Sequence, residues 1–249
     1  MPAPVWVVLP TYNEAANLER VVDAVRVAVP GVHVLVVDDG SPDGTGEIAD
    51  TLAGADPHVQ VLHRPGKAGL GRAYVAGFAH ALEAGAATVV EMDADFSHDP
   101  ADLPRLLERV ADGADLVLGS RYVPGGGIRD WDALRRGLSR FGCGYARRVL
   151  GVPVRDLTGG YKAFRAATLE AIDYSSVRSQ GYAFQVELTH RALQLGLRVD
   201  EVPIVFRERI HGQSKMSGRI ALEAAWIVPA LRWRRWAADS REVARVPMT

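Results

Sequence analysis

Two aspartates separated by one residue, Asp93 and Asp95, are the side chains of this sequence best suited to metal-dependent chemistry. They follow Thr88–Met92, a mostly apolar run with the length of a buried strand. Carboxylate oxygens suit Mg²⁺ and Mn²⁺, and two carboxylates leave coordination positions open for substrate phosphates. A second pair, Asp38-Asp39, ends another apolar run. Packed carboxylates repel unless a cation or hydrogen bonds compensate, so both pairs favour a metal and nucleotide site over the alternative of solvated turns.

Basic side chains in the second half of the chain have the chemistry to bind phosphate. Arg121 follows a short apolar run, Arg135 lies further along, and Arg209 and Lys215 flank the polar segment His211–Ser214. Arginine binds phosphate oxygens through parallel N–H groups, and lysine supplies a compact charge. Each of them alone could be a solvated surface charge. As a set opposite the aspartates, they predict a clamp for a phosphorylated acceptor.

The glycine-rich segment Gly66–Gly71 does not fit the nucleotide-binding loops that it resembles in composition. A phosphate-binding loop needs Ser or Thr directly after the lysine, but Ala68 follows Lys67. The dinucleotide fingerprint fails because Tyr74 occupies its third glycine position. We therefore predict a turn that caps the next helix, and the failed fingerprint argues against a nucleotide-dependent oxidoreductase.

The elements that must position these side chains alternate between strands and helices. This order predicts an α/β fold with a mostly parallel central sheet and helices on both faces, whose ligands bind beyond the carboxyl ends of the strands. We predict strands at Val5–Leu9, His33–Val37, Val59–Leu62, Thr88–Met92, Leu116–Leu118 and Arg198–Phe206. We predict helices at Glu14–Val27 (with Asn13 as N-cap), Asp43–Leu52, Gly71–Glu83, Pro100–Val110, Asp132–Leu150 and Tyr182–Leu195.

Composition and charge exclude several classes of protein. With 29 Lys and Arg against 30 Asp and Glu, the net charge is −1, which argues against a nucleic-acid-binding protein. The single cysteine, Cys143, excludes an internal disulfide and a multi-cysteine zinc site. Val5–Leu9 is too short for a signal peptide, and Ala224–Leu231 falls far short of the ~20 residues that cross a bilayer. We expect a cytoplasmic protein without a transmembrane domain.

The last part of the chain differs in composition from the rest. We expect one domain over residues 1–215 and a basic, tryptophan-rich helical appendage over 216–249. In the appendage, Trp226, Trp233 and Trp236 interleave with the three arginines at 232, 234 and 235. Such a segment suits a lipid headgroup layer, but it could equally be a surface helix that packs its tryptophans on the core.

Several motifs together are similar to a known family. The first three, Val8–Glu14, Val37–Thr45 and Met92–His98, resemble those of family 2 glycosyltransferases with the GT-A fold. The later motifs narrow the resemblance to polyprenol (dolichyl) phosphate mannose synthases; they are Gly119–Tyr122, Asp156–Tyr161, Gly181–Gln185 and Gly212–Met216. In order along the chain, the resemblance covers about residues 4 to 220.

The resemblance implies transfer of mannose from GDP-mannose to a polyprenyl phosphate, with inversion at the anomeric carbon. Because the acceptor is already an anion, no general base is needed. By position, the guanosine and ribose would be held by Pro10, Tyr12, Glu14, Val37 and Asp39. The diphosphate would lie at Asp93, Ala94 and Asp95, with Asp93 and Asp95 on Mg²⁺ or Mn²⁺.

The remaining roles are also implied only by the resemblance. Ser97 stands where some relatives carry a glutamine metal ligand. Arg121 and Arg135 would bind the acceptor phosphate, and Arg209 and Lys215 would close over the nucleotide or sugar phosphate. Asp93, Asp95 and Arg121 would be the catalytic residues. Without the transmembrane helices of some relatives, the protein would reach its lipid peripherally, at the cytoplasmic face of a membrane, or through a membrane-embedded partner protein.

Three alternatives remain open from the sequence. The nearest is a related transferase that uses UDP-glucose or another nucleotide sugar on the same lipid phosphate. The second is a degenerate transferase that serves as a membrane-associated binding module, against which the intact aspartate pair argues. The third is the oxidoreductase that the glycine pattern disfavours. A processive polysaccharide synthase is disfavoured because the Q-x-x-R-W motif is absent after the acceptor region.

Overall fold

The computed structural model describes residues 3–208 and 228–232 and contains a central β-sheet. The strands of the described residues are β1 Val5–Thr11, β2 His33–Asp38, β3 Val59–His63, β4 Thr88–Glu91, β5 Leu116–Ser120, β6 Gly127–Ile128, β7 Lys162–Arg165, β8 Val199–Pro203 and β9 Val205–Phe206. Seven of them form one sheet in the order β3-β2-β1-β4-β7-β5-β8. Its neighbours are parallel except at β7, which is antiparallel to β4 and β5. The predicted mostly parallel sheet is confirmed.

Helices cover both faces of this sheet because its strands are apolar on both sides. The helices are α1 Leu18–Ala28, α2 Thr45–Ala55, α3 Leu70–Glu83, α4 Leu103–Ala111, α5 Ala133–Leu150, α6 Ala166–Ala171 and α7 Gly181–Gln194, with 3₁₀ turns at Pro100–Asp102 and Tyr174–Ser176. Successive residues of β1 point to opposite faces, so Trp6 and Val8 pack with α3 and α7, whereas Val7 and Leu9 pack with α1 and α4. Two buried layers therefore hold the carboxyl edge of the sheet in place.

The strand β7 was missing from the sequence-based prediction, and the segment predicted as one strand over Arg198–Phe206 is divided. Charged residues begin and end β7, at Lys162 and Arg165, so its sequence lacks the apolar run of a buried strand. In the register of β7 with β4, Lys162 lies opposite Glu91. The Glu91 carboxylate compensates the charge of the buried Lys162 ammonium. Beyond β8, the short β9 pairs with β6 in a second sheet.

The helix α1 begins at Leu18, four residues after the predicted start at Glu14. Asn13, the predicted N-cap, has a left-handed backbone with φ of 57°. The N–H groups of residues 13–15 donate to side chains of the loop after β2 and of the first residue of α2: Ser41 Oγ at 3.0 Å, Thr45 Oγ1 at 2.9 Å and Asp43 Oδ2 at 3.1 Å. Because these donors are tied to the neighbouring loop, residues 12–17 form a turn beside the sheet edge rather than a first helical turn.

Little of the predicted appendage falls within the described residues. In the helical stretch 228–232, Val228 and Leu231 are buried in the same layer as α5 and α7. The boundary expected at residue 215 and the tryptophans at 226, 233 and 236 lie outside the described part of the chain. Among the residues that are described, no helix combines the length and apolar character that crossing a bilayer requires.

Candidate active site

A cavity of about 340 Å³ opens beyond the carboxyl ends of β1, β2, β4 and β5. This volume lies in the range of small-molecule sites. Ten of the residues singled out from the sequence line it: Pro10, Tyr12, Glu14, Asp39, Asp93, Ala94, Asp95, Ser97, Arg121 and Arg135. The parallel strands thus bring together side chains that lie far apart along the chain.

Among the described residues, one that was expected at the site does not line the cavity. Val37 is fully buried in the layer beneath α3, and a Cβ at Gly77 of that helix would lie 3.1 Å from its Cγ2. Its side chain points into the core because the alternation of β2 places it on the face of the sheet that α3 covers. Arg209 and Lys215 lie outside the described residues.

The aspartate pair after β2 is compensated within the protein. Asp38 accepts hydrogen bonds from the Ser41 backbone N–H at 3.1 Å, from the Ser41 hydroxyl at 2.5 Å and from the Thr11 hydroxyl at 3.2 Å. Asp39 is paired with Arg64. Burial raises the pKa of Asp39, and Arg64 opposes this effect. Hydrogen bonds and an arginine thus compensate the charges of this pair within the protein, which is one of the two ways expected from the sequence.

The Asp93–Asp95 turn is held by its own backbone and by two aromatic side chains. Asp95 accepts from the Ser97 N–H at 3.0 Å, and Phe96 between them is left-handed with φ of 61°. The Tyr74 hydroxyl donates to Asp93 Oδ1 at 3.3 Å, and burial raises the pKa of Tyr74, so it keeps its proton. The Asp93 N–H donates to His98 Nδ1 at 3.3 Å. The carboxylates are thus fixed at the cavity wall before any ligand binds.

His98 is neutral at physiological pH. Its ring is buried and stacks on Tyr161 with centroids 5.1 Å apart, and Phe206 meets it edge to face at 5.4 Å. Burial lowers its pKa to about 4, against the attraction of Asp95. Because Nδ1 accepts from Asp93, the ring proton belongs on Nε2. The residue lines the cavity without adding charge to it.

Asp93 and Asp95 have the donor chemistry for a hard divalent cation but do not form a complete metal cage. Within the described residues, no three or more His, Cys, Asp or Glu side chains are arranged to hold a metal ion. The Asp93 side chain is 34% exposed and lies at the cavity, whereas Asp95 is buried. Two carboxylates with open positions fit a cation whose remaining ligands come from substrate phosphates and water.

Arg121 is held by a buried carboxylate rather than free to move. Its Nε and Nη2 donate to the two oxygens of Asp156, each at 2.7 Å, and Nη2 also reaches the Thr158 hydroxyl at 2.9 Å. Burial would raise the pKa of Asp156, but Arg121 outweighs it and lowers that pKa. Nη1 makes no hydrogen bond to any described residue. Because Arg121 lines the cavity, this nitrogen is a candidate donor to a ligand there.

Arg135 has a looser environment. It donates to Glu208 at 2.6 Å, and its guanidinium lies 4.1 Å from the centroid of the Trp131 ring. Both partners of this ion pair are partly exposed, so it can exchange readily with an incoming anion. The basic clamp expected from the sequence is therefore largely compensated where it is described: Arg121 by Asp156 and Arg135 by Glu208.

Several cavity residues were not assigned to the site from the sequence. The glycine-rich loop contributes Lys67, whose ammonium lies 4.6 Å from the centroid of the Tyr12 ring, and Gly69, which is the N-cap of α3 with φ of 101°. The predicted capping turn is thus confirmed, and it also faces the cavity. The start of α7 contributes Tyr182 and Gln185, both within a motif that carried the family resemblance.

The sequence matches the family described as "Glycosyl transferase family 2" over residues 6–173, well over half of the chain. The chain belongs to this family. Two similar proteins are "Polyprenol monophosphomannose synthase" of Mycolicibacterium smegmatis, 56% identical over 223 residues, and "Undecaprenyl-phosphate mannosyltransferase" of Micrococcus luteus, 53% identical over 235 residues. The alignments cover 89% and 93% of this chain, and 84% and 96% of those proteins. This family 2 protein is therefore a glycosyltransferase, as its motifs predicted.

Solved structures of glucosyl-3-phosphoglycerate synthase from Mycobacterium tuberculosis share the fold. The complex with phosphoglyceric acid gives a TM-score of 0.69, and the complex with Mn²⁺, UDP-glucose and glycerol 3-phosphate gives 0.68. Each is 22% identical and covers 92% of this chain and 80% of that chain. At this identity the likeness concerns the fold alone, and it confirms the expected GT-A architecture of this family 2 glycosyltransferase.

Proposed function

We propose that this glycosyltransferase transfers mannose from GDP-mannose to the phosphate of a polyprenyl phosphate, giving polyprenyl phosphomannose and GDP. The observation that carries the proposal is that Asp93 and Asp95 line the same cavity as Arg121 and Arg135. Such a cavity has an acidic side suited to a nucleotide with its cation and a basic side suited to a second phosphate. The substrates named for the two similar mannosyltransferases support the choice of sugar and lipid.

The donor nucleotide would lie along the edge formed by β1, β2 and the glycine-rich loop. Pro10, Tyr12 and Asp39 line this side, and Lys67 over Tyr12 adds a positive charge near the phosphates. Asp93 and Asp95 would hold Mg²⁺ or Mn²⁺, with the Ser97 hydroxyl as a neighbouring oxygen. When bound, the cation would neutralise the charge that develops on the departing diphosphate.

The acceptor phosphate would bind on the opposite side, where Arg135 exchanges Glu208 for it and Arg121 offers Nη1. An oxygen of this phosphate attacks the anomeric carbon while the bond from that carbon to the GDP oxygen breaks. The attacking group is already an anion, so no proton moves and no base is assigned. Catalysis then depends on the alignment of the two substrates by rigid hydrogen-bond donors of the protein. One in-line displacement inverts the anomeric centre.

The lipid tail needs an apolar surface near the cavity mouth, and α5 offers one. Leu134, Leu138 and Phe141 are 75%, 62% and 73% exposed, and their spacing places them along one stripe of the helix. Arg135, which lines the cavity, belongs to the same helix. We infer that this stripe contacts the cytoplasmic surface of a membrane, which presents the acceptor phosphate to the cavity.

The test is incubation of the purified enzyme with GDP-[¹⁴C]mannose, undecaprenyl phosphate and MgCl₂ or MnCl₂, followed by lipid extraction and analysis of the nucleotide released. We expect labelled phosphomannolipid, release of GDP and loss of both in excess EDTA. The Asp95→Asn enzyme is the matched negative control. Transfer from UDP-glucose with release of UDP, without transfer from GDP-mannose, would replace this function by the alternative glucosyl transfer. Full activity in EDTA would remove the metal from the proposal.

A further inference from the structure

A small polar space lies above Gly160, which lines the cavity just before β7. A Cβ added at this glycine would lie 3.4 Å from Gln185 Nε2, 3.7 Å from His98 Cε1 and 4.0 Å from Asp93 Oδ2. The backbone of Gly160 is not left-handed, so a side chain is excluded neither by φ nor by a steric clash. What this glycine provides is the space itself, bordered by an amide, an imidazole edge and a carboxylate.

The orientation of the Gln185 amide is fixed from below by a buried lysine. Lys162 Nζ donates to the Gln185 backbone carbonyl at 2.9 Å and to Gln185 Oε1. Lys162 is fully buried and lies 3.4 Å from the Glu91 carboxylate. Turning the amide over would set Nε2 against Nζ, two donors facing each other. The Lys162 contact therefore holds Oε1 down and leaves Nε2 as the group that can meet a ligand.

Gln185 Nε2 is buried and makes no hydrogen bond to any described residue. The Gln185 side chain also lies close to the buried carboxylate of Glu91. The oxygens of Glu91 nevertheless make no hydrogen bond either. An amide nitrogen carries two N–H groups, so one can face Glu91 while the other faces the space above Gly160. Buried donors are rarely left unsatisfied, and this one borders a ligand cavity.

We propose that Gln185 is a specificity-determining residue that binds one hydroxyl group of the transferred sugar in the space above Gly160. A group placed there meets a donor, Gln185 Nε2, and an acceptor, Asp93 Oδ2. A hydroxyl satisfies both because it accepts from the first and donates to the second, whereas a phosphate oxygen would be repelled by the carboxylate. Asp93 retains Oδ1 for its other contacts. The inference rests on the proposed function, since the sugar is that of the nucleotide-sugar donor.

The experiment compares the wild-type enzyme with Gln185→Leu and Gly160→Ala. The first variant removes the donor and the second fills the space with a methyl group, so the inference does not depend on one variant that fails to fold. Gln194→Leu, an exposed glutamine on the same helix, is the matched control. For each enzyme we would measure kcat/KM with GDP-mannose and with analogues that each lack one sugar hydroxyl, together with the inhibition constant of GDP.

We expect both cavity variants to bind GDP as the wild type does and to lose about tenfold or more in kcat/KM for GDP-mannose, the loss expected when a buried hydrogen-bonding partner is removed. One deoxy analogue should lower the wild-type kcat/KM to the same degree and have no further effect on Gln185→Leu. The inference is overturned if the variant remains sensitive to every missing hydroxyl, or if GDP binding falls as much as GDP-mannose turnover. Failure of the proposed function would show already in the wild type, as absence of transfer from GDP-mannose, and would overturn both.

Discussion

Replacing Asp156 by asparagine tests whether a buried ion pair holds the acceptor side of the cavity together. Asp156 is completely buried, and its carboxylate engages Arg121 through two hydrogen bonds of 2.7 Å. It also accepts the Arg121 backbone N–H at 2.9 Å. Asparagine keeps the shape but removes the charge and turns one acceptor into a donor that faces the guanidinium. In the variant, the buried guanidinium of Arg121 therefore loses its counter-charge and one of its two hydrogen-bond acceptors on this side chain.

The expected cost follows from the burial of both groups. Because Arg121 has 5% of its side chain exposed and Asp156 has none, water cannot replace the lost contacts. Removing one partner of such a pair costs about 3–5 kcal/mol of the free energy of unfolding. For a domain of this length, about 2–4 °C is lost per kcal/mol, so the melting temperature should fall by roughly 6–20 °C. The displaced guanidinium should also raise KM for polyprenyl phosphate more than it weakens GDP binding.

Differential scanning calorimetry and urea unfolding provide the measurement, with Asp200→Asn as the control. Asp200 makes a similar two-contact pair with Arg198, but at the surface, so its substitution should leave the melting temperature nearly unchanged. The pH dependence supplies a second check. Arg121 lowers the pKa of Asp156 despite its burial, so the stabilisation is complete above about pH 4, the unfolded value, and is lost as the pH falls from there through the lowered pKa of the folded protein. Equal melting temperatures for wild type and Asp156→Asn at pH 7 would refute the reasoning.

Three further changes probe the remaining parts of the cavity. Asp95→Asn should reduce turnover at least ~100-fold and weaken the binding of GDP that depends on Mg²⁺ or Mn²⁺. Calorimetric titration with and without EDTA measures this binding, and unchanged turnover would exclude a catalytic role for the carboxylate. Arg135→Ala should raise KM for polyprenyl phosphate about tenfold with little effect on KM for GDP-mannose, and equal changes in both would move Arg135 to the donor side. The double substitution Leu138→Ser, Phe141→Ser should lower co-sedimentation with anionic liposomes. The melting temperature should stay unchanged because both side chains are exposed. Undiminished liposome binding would refute the role of this stripe in membrane contact.

The sequence predicted the parallel strands β1 to β4 well because each of them is a short, largely apolar run followed by a helix. It did not predict β7, whose Lys162 and Arg165 carry charges that are compensated only by other parts of the chain. The start of α1 was placed too early for a similar reason. Asn13 is a good N-cap residue in isolation, but its N–H and the next two N–H groups donate to the loop after β2 and to the first residue of α2. Such partners are distant in sequence, so local patterns carry no information about them.

The candidate site divides in the same way. The types and spacing of Asp93 and Asp95, and their place after an apolar strand, were sufficient to locate the acidic side of the cavity. The number of arginines was not sufficient to predict how much positive charge the basic side offers. The count does not reveal that Asp156 pairs with Arg121 and Glu208 with Arg135. Gln185 stood in a family motif, yet its direction into the cavity depends on a lysine from β7, the strand that the sequence pattern did not show.

The amino-acid sequence by itself determined the α/β class, the family and the sheet edge at which ligands bind, because periodicity and short motifs are local properties of the chain. Only the tertiary structure decided which charges remain available in the cavity and which are neutralised beneath it. The reason is that a charge in a folded protein is defined by its burial and by its nearest partners. Here those partners come from β4, β7 and the loop between α5 and β7, which meet only once the sheet has formed.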